Sequence, residues 1–67
     1  MDGEANHHRA LEPETIAEIL EVRRLEGELI ALLANLAEHH PKGGREFAAA
    51  RTNLQQARMW AIEGITL

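Results

Sequence analysis

The chain has 67 residues, a formal net charge of -4 and no cysteine. A domain this short buries only about 60% of the surface that its unfolded chain exposes, and disulfides cannot offset the shortfall here. The acidic balance argues against a partner as long as DNA or RNA, although a few placed arginines can still hold a small anion. The chain has no apolar run near the roughly 20 residues of a membrane span and no signal-peptide pattern, so we expect one soluble cytoplasmic domain that binds no membrane.

The predicted elements are two helices joined by a short turn. Pro13 suits the first position of a helix, because a proline there loses no hydrogen bond. Pro41 and the pair Gly43-Gly44 favour a tight connection between helices. The expected order is a flexible tail (residues 1–9) and one hairpin domain (10–67), with helix 1 at about 13–38, a turn at 39–44 and helix 2 at about 45–63. The predicted fold class is all-α, an antiparallel two-helix hairpin.

The apolar residues of both helices follow the spacing of packed helices, and we predict that one line of them on each helix meets the other. On helix 1 this line is Val22, Leu25, Leu29, Leu32 and Leu36, and on helix 2 it is Phe47, Ala50, Leu54, Ala57 and Ala61. Helix 1 carries a second line, formed by Ile16, Ile19, Arg23, Glu26, Ile30 and Leu33. Since one partner helix covers only about 100° of a helix surface, the second line predicts a helical-bundle homo-oligomer.

Arg23 interrupts the second line, with apolar neighbours on either side. In one interpretation its guanidinium pairs with Glu26 three residues on, and its stem covers apolar surface. In the other, two copies of Arg23 approach each other across a two-fold axis and bind an anion between them. A ligand with two phosphates would satisfy both copies.

Arg51, Gln55 and Arg58 form a polar stripe beside the apolar line of helix 2, and Thr52 adjoins it. A solvated charged face is one explanation. The other is a ligand site at a subunit contact, because arginine and glutamine side chains suit phosphates and base edges.

The sequence contains no serine, cysteine or tyrosine, so the usual catalytic nucleophiles are absent. The pairs His7-His8 and His39-His40 have diverging side chains and lack the further ligands that a metal needs. We therefore expect no enzymatic activity, no metal and no cofactor. His8 is a candidate for stacking on a planar group.

The run Ala-Arg-Thr-Asn-Leu-Gln-Gln-Ala-Arg-Met (residues 50–59) resembles the second helix of the hairpin domain shared by phage anti-CBASS and anti-Thoeris signal sponges. The usual form of that helix is Gly/Ala-Arg-Thr-x-Leu-Gln-Gln-Gly-Phe-Met. The stretch His-Arg-Ala-Leu (residues 8–11) is similar to the Tyr-Arg-x-Leu opening of the family, and Val22-Arg23 is similar to its later Ile-Lys pair. The resemblance covers about residues 8–65.

This resemblance implies a sponge, which sequesters cyclic oligonucleotide signals of bacterial immune systems in the host cytosol without cleaving them. It also implies a hexamer, with cyclic dinucleotides at one type of interface and cyclic trinucleotides at another. By the same correspondence, His8 replaces the stacking tyrosine beside Arg9, and Arg23 replaces the phosphate-binding lysine. Arg51 and Thr52 fall in the segment associated with the trinucleotide pocket.

The chain departs from the family pattern at several positions. Ala57 and Arg58 stand where the second-helix motif has glycine and phenylalanine, and Glu63 stands where a late arginine is expected. Two other functions stay open: a coiled-coil structural or regulatory module that recruits a protein helix, and a sponge for signals of the cyclic ADP-ribose type. The predicted ligand-binding residues are His8, Arg9, Arg23, Arg51, Thr52 and Gln55.

Overall fold

The computed structural model describes residues 12–67, which form two helices and no strand. Helix α1 spans Pro13–His39 and helix α2 spans Gly44–Ile65, with a single 3-10 turn at Pro41–Gly43 between them. The all-α two-helix hairpin is therefore confirmed. Helix α1 ends one residue later than the sequence predicts, and α2 extends further at both of its ends.

A proline lies near each end of α1: Pro13 begins the helix, and Pro41 follows the residue that caps its C-terminal end. Pro13 occupies the first turn, where its missing N–H costs nothing, and Glu14 places a negative charge near the positive end of the helix dipole. At the other end, the His40 N–H donates to the Leu36 carbonyl oxygen at 2.8 Å. His40 leaves the helical conformation (φ -130°, ψ 69°) because Pro41 follows it.

The turn closes over the ring of Phe47. A Cβ atom added at Gly43 would lie 3.1 Å from Cε2 of Phe47, which is closer than side chains normally approach. The ring of His40 lies on the same aromatic group, with centroids 6.3 Å apart and planes tilted by 37°. Glycine at position 43 thus permits the close approach of the turn to the ring of Phe47 in α2.

The two helices meet along a half-buried line on each of them. On α1 the half-buried residues are Thr15, Ile19, Val22, Glu26, Ile30, Leu33, Leu36 and Ala37, and on α2 they are Phe47, Ala50, Leu54, Gln55, Arg58, Ile62 and Ile65. No residue within 12–67 is fully buried. The hairpin therefore has a contact line between its helices but no closed core.

The predicted contact line of α1 is wrong in its central part. Leu25, Leu29 and Leu32 are 49%, 42% and 50% exposed, whereas Glu26 and Ile30 of the second line face α2. An ion pair between the helices accompanies this rotation of α1 about its axis. The predicted line of α2 is also wrong in part, since Ala57 and Ala61 are exposed while Arg58 and Ile62 are half-buried. In the observed packing the Arg58 guanidinium of α2 pairs with the Glu26 carboxylate of α1.

The exposed leucines continue into a groove between the helices. This groove has a volume of about 260 Å³ and is lined by Val22, Leu25, Glu26, Leu29, Leu54, Ala57, Arg58 and Ala61. We call Leu25, Leu29 and Leu32, together with Leu54, Ala57 and Ala61 across the groove, the leucine face. Over residues 12–67, neither helix combines the length and the apolar character that crossing a bilayer requires.

Replacing Gly27 by alanine is expected to stabilise the protein. Gly27 lies inside α1, and an added Cβ atom would meet nothing within 4 Å. Alanine is favoured over glycine in a helix interior by about 1 kcal/mol, which corresponds to a rise in melting temperature of about 4–8 °C for a domain of this size. Gly64→Ala, close to the end of α2, provides a control with a smaller gain. A fall in melting temperature for Gly27→Ala would contradict the prediction and indicate that another molecule packs over position 27.

Candidate ligand-binding side of the hairpin

Arg51 lines a second groove, on the opposite side of the hairpin from the leucine face. The groove has a volume of about 180 Å³ and is lined by Ile30, Leu33, Ala34, Ala37, Gly44, Phe47, Ala48 and Arg51. We call this the arginine side. The guanidinium of Arg51 is exposed and has no hydrogen bond or ion pair within residues 12–67.

Gln55 follows Arg51 by one helical turn, so the two side chains leave α2 in similar directions. Gln55 is half-buried, which places it at the edge of the contact with α1. Thr52 is exposed and lies a further 100° around the helix, away from α1. The structure therefore brings Arg51 and Gln55 to one side and directs Thr52 outward.

Arg23 belongs to the same side of the hairpin as Arg51. It precedes Ile30, which lines the groove of the arginine side, by seven residues, or about two helical turns. The Glu26–Arg58 ion pair fixes the register of the two antiparallel helices. Arg23 precedes Glu26 by three residues on α1, and Arg51 precedes Arg58 by seven residues on α2, which runs the other way. At 1.5 Å per residue, the two arginines are therefore about 15 Å apart along the axis of the hairpin.

Two other arginines are already neutralised by carboxylates of the same chain. Arg24 lies 2.8 Å from Glu21 and 2.6 Å from Glu28 on the exposed face of α1. The hydrogen bond from Arg24 and its charge lower the pKa of Glu21, and the same pairing raises the pKa of Arg24. Arg58 holds Glu26 between the helices, with Nε 3.1 Å from both carboxylate oxygens.

Arg23 has no such partner among the residues that the structure describes. It is exposed and forms no ion pair with any residue that the structure describes, including Glu26. The interpretation that Arg23 pairs with Glu26 is therefore wrong for this structure, because Arg58 occupies that carboxylate. Within residues 12–67, Lys42 and Arg45 are also without an ion pair, and both lie at the turn end of the hairpin.

The remaining predicted site residues, His8 and Arg9, lie outside the described residues. In the part of the chain that is described, no group of three or more histidine, aspartate or glutamate side chains is placed to hold a metal ion. The interhelical pair of Glu26 and Arg58 is the feature that sequence reasoning missed. Its signal was present, since Glu26 interrupts an apolar line of helix 1 and Arg58 lies directly beside the apolar line of helix 2.

Comparison with known protein families gives a match over most of the chain. The family model described as "Acb2/Tad1, hairpin domain" matches residues 4–66 of the chain, and no curated protein or solved structure matches it. The match covers both helices, the turn and each predicted site residue. It confirms the resemblance carried by the Arg-Thr-x-Leu-Gln-Gln run of α2. The chain thus belongs to the Acb2/Tad1 hairpin-domain family of anti-CBASS and anti-Thoeris sponges.

Proposed function

We propose that this protein is a phage immune-evasion sponge, which binds cyclic di- or trinucleotides in the host cytosol and sequesters them without cleaving them. Membership of the hairpin-domain family supports the proposal. The protein acts as a homo-oligomer, which the resemblance implies is a hexamer, and the ligands occupy contacts between protomers. His8 and Arg9 contribute a stacking surface and a cation from outside the described residues.

The observation that carries this proposal is the selective pairing of the arginines. Arg24 and Arg58 are neutralised within the chain, whereas Arg23 and Arg51 have no carboxylate partner among residues 12–67 and lie on one side. A cyclic oligonucleotide carries one negative charge per phosphodiester on a compact ring, and arginine binds such groups in a bidentate manner. Unpaired arginines beside apolar surface suit such a ligand, because bases can lie on the surface while phosphates meet the cations.

Arg23 and Arg51 belong to two separate sites in this proposal. Their spacing of about 15 Å along the axis is large for neighbouring phosphates of one small ring. Arg23 acts with its copy from a second protomer on a cyclic dinucleotide. Arg51, with Gln55 beside it and Thr52 turned outward, acts on a larger ring at a second type of contact.

A second copy of the chain covers the leucine face. No residue within 12–67 is fully buried, so the hairpin lacks the core that a stable domain needs. The leucine face offers exposed leucines on one helix and small alanines on the other, which lets a further helix approach closely. Another protomer presents a complementary face of the same kind, as two-fold symmetry requires.

Native mass spectrometry tests the proposal directly. The protein is measured alone and with a panel of cyclic di-AMP, cyclic di-GMP, cyclic GMP-AMP, cyclic tri-AMP and cyclic ADP-ribose. We expect an oligomer that retains a cyclic di- or trinucleotide at its intact mass. Retention of cyclic ADP-ribose alone would support the related sponge for that class of signal. Release of linear products would contradict the proposed absence of cleavage.

The exposed leucine face favours one alternative function, a coiled-coil structural or regulatory module that recruits a protein helix. In that case the oligomer would form and retain no member of the panel. A protein that is monomeric at micromolar concentration would also contradict the sponge proposal, because the proposed ligand sites require more than one protomer.

A further inference from the structure

We propose that Arg58 is a positioning residue for ligand binding: by holding Glu26 between the helices, it keeps Arg23 free to meet a phosphate. The inference rests on the proposed function and adds to it a residue that contacts no ligand itself. It also assigns a role to Arg58, which stands where the motif of the family has phenylalanine.

The pair lies where neither charge is well solvated. The Glu26 side chain is 12% exposed and the Arg58 side chain is 26% exposed. The Arg58 Nε–H points at the Glu26 carboxylate, whose two oxygens both lie 3.1 Å from the nitrogen. A carboxylate with so little exposure needs a cation nearby, because water cannot compensate its charge fully.

Arg23 is the cation that Glu26 would take if Arg58 were absent. On α1 the positions within one turn of Glu26 are Val22, Arg23, Leu29 and Ile30. On α2 the positions one turn from Arg58 are Leu54, Gln55, Ala61 and Ile62. Arg23 carries the single positive charge in this set, and residues three apart on a helix are close enough to form an ion pair.

Pairing with Glu26 would disable Arg23 in two ways. Its charge would be compensated before a ligand arrived, and its guanidinium would turn toward α2. A phenylalanine at position 58, as in the motif of the family, would also leave Arg23 as the cation nearest to Glu26. In this chain the acidic residue at 26 and the basic residue at 58 therefore act as one unit.

The test compares three variants with the unchanged protein by isothermal titration calorimetry, using the member of the cyclic di- and trinucleotide panel that the unchanged protein binds most tightly. Arg58→Gln is expected to weaken binding by about 5- to 10-fold. Glu26→Gln should leave binding within about 2-fold, and the double variant Glu26→Gln, Arg58→Gln should restore it to that level. A structural contribution alone would leave the double variant as weak as Arg58→Gln, and that result would overturn the inference.

A measurement without ligand separates this inference from the proposed function. In ¹⁵N NMR, the Nε–H of Arg23 is expected to exchange with water more slowly in Arg58→Gln than in the unchanged chain, and to return to fast exchange in the double variant. If exchange does not change, the inference is wrong even where the sponge proposal holds. If the unchanged protein binds no panel member while the exchange of the Arg23 Nε–H changes as expected, the sponge proposal fails. The inference that Arg58 keeps Glu26 from pairing with Arg23 is then still supported.

Arg58→Lys guards against loss of folding in Arg58→Gln. Lysine keeps a cation opposite Glu26, so Arg23 should exchange fast and bind ligand within about 3-fold of the unchanged protein. Slow exchange at Arg23 in this variant would contradict the inference, since the carboxylate would then prefer Arg23 while a cation remained on α2.

Discussion

Replacing Arg23 by glutamine is expected to weaken binding of the retained cyclic nucleotide by roughly 10- to 150-fold. In the proposed function, the change removes a charge-assisted contact with phosphate, which is worth about 1.5–3 kcal/mol per site. Glutamine keeps a polar side chain of helix-favouring type, and Arg23 has no ion pair within residues 12–67, so folding should be little affected. Isothermal titration calorimetry gives the affinity, and circular dichroism checks the fold.

Arg24→Gln provides the matched control, because it removes the same charge from the adjacent residue. Arg24 is engaged by Glu21 and Glu28 on the exposed face of α1. We expect its replacement to change affinity by less than about 2-fold, since exposed ion pairs contribute little. Equal losses for the two variants would show that net charge alone matters. Unchanged affinity in Arg23→Gln would remove Arg23 from the site.

Replacing Leu29 by glutamate is expected to dissociate the oligomer and to destabilise the fold. Leu29 is 42% exposed and belongs to the leucine face that we propose a second copy covers. A carboxylate buried in that contact without a partner costs about 3–5 kcal/mol. Glutamate favours a helix as well as leucine does, so the loss of stability would come from the contact between protomers and not from the helix itself. Size-exclusion chromatography with light scattering measures the mass, and thermal melting measures the stability.

Ala31→Glu is the control for this surface. Ala31 is exposed and lies two residues beyond Leu29, on the other side of α1, where a charge meets water. We expect the same oligomer and nearly the same melting temperature as for the unchanged protein. An intact oligomer in Leu29→Glu would show that the second copy binds elsewhere on the hairpin.

Local sequence chemistry was enough to predict the hairpin. Pro13 marks the start of α1, and the segment around Pro41 and Gly43 marks the turn, because these residues restrict or free the backbone directly. The orientation of α1 about its own axis was harder to predict. Two lines on that helix have the same spacing, and periodicity cannot distinguish which one meets α2. In the structure, Glu26 of the second line pairs with Arg58, 32 positions away in the sequence.

The predicted site residues stay predictions, and helical spacing explains why some of them lie together. Arg23, Arg51 and Gln55 lie on one side of the hairpin because helical spacing governs where side chains leave a helix. The freedom of Arg23 could not be predicted from α1 alone, since Glu26 is its neighbour in sequence and Arg58 is not. In the proposed function the ligand contacts more than one protomer, so the spacing of residues within one chain cannot predict which ligand fits.

The lack of any fully buried side chain within residues 12–67 affects how binding capacity depends on the concentration of the protein. When association supplies the missing core, folding becomes a reaction of higher order, and the melting temperature rises with protein concentration. At low copy number, few chains would be folded and still fewer sites complete. Binding capacity would then grow more steeply than in proportion to the amount of protein made. A phage using such a sponge would gain little from early, sparse synthesis and most of its protection once expression passed a threshold.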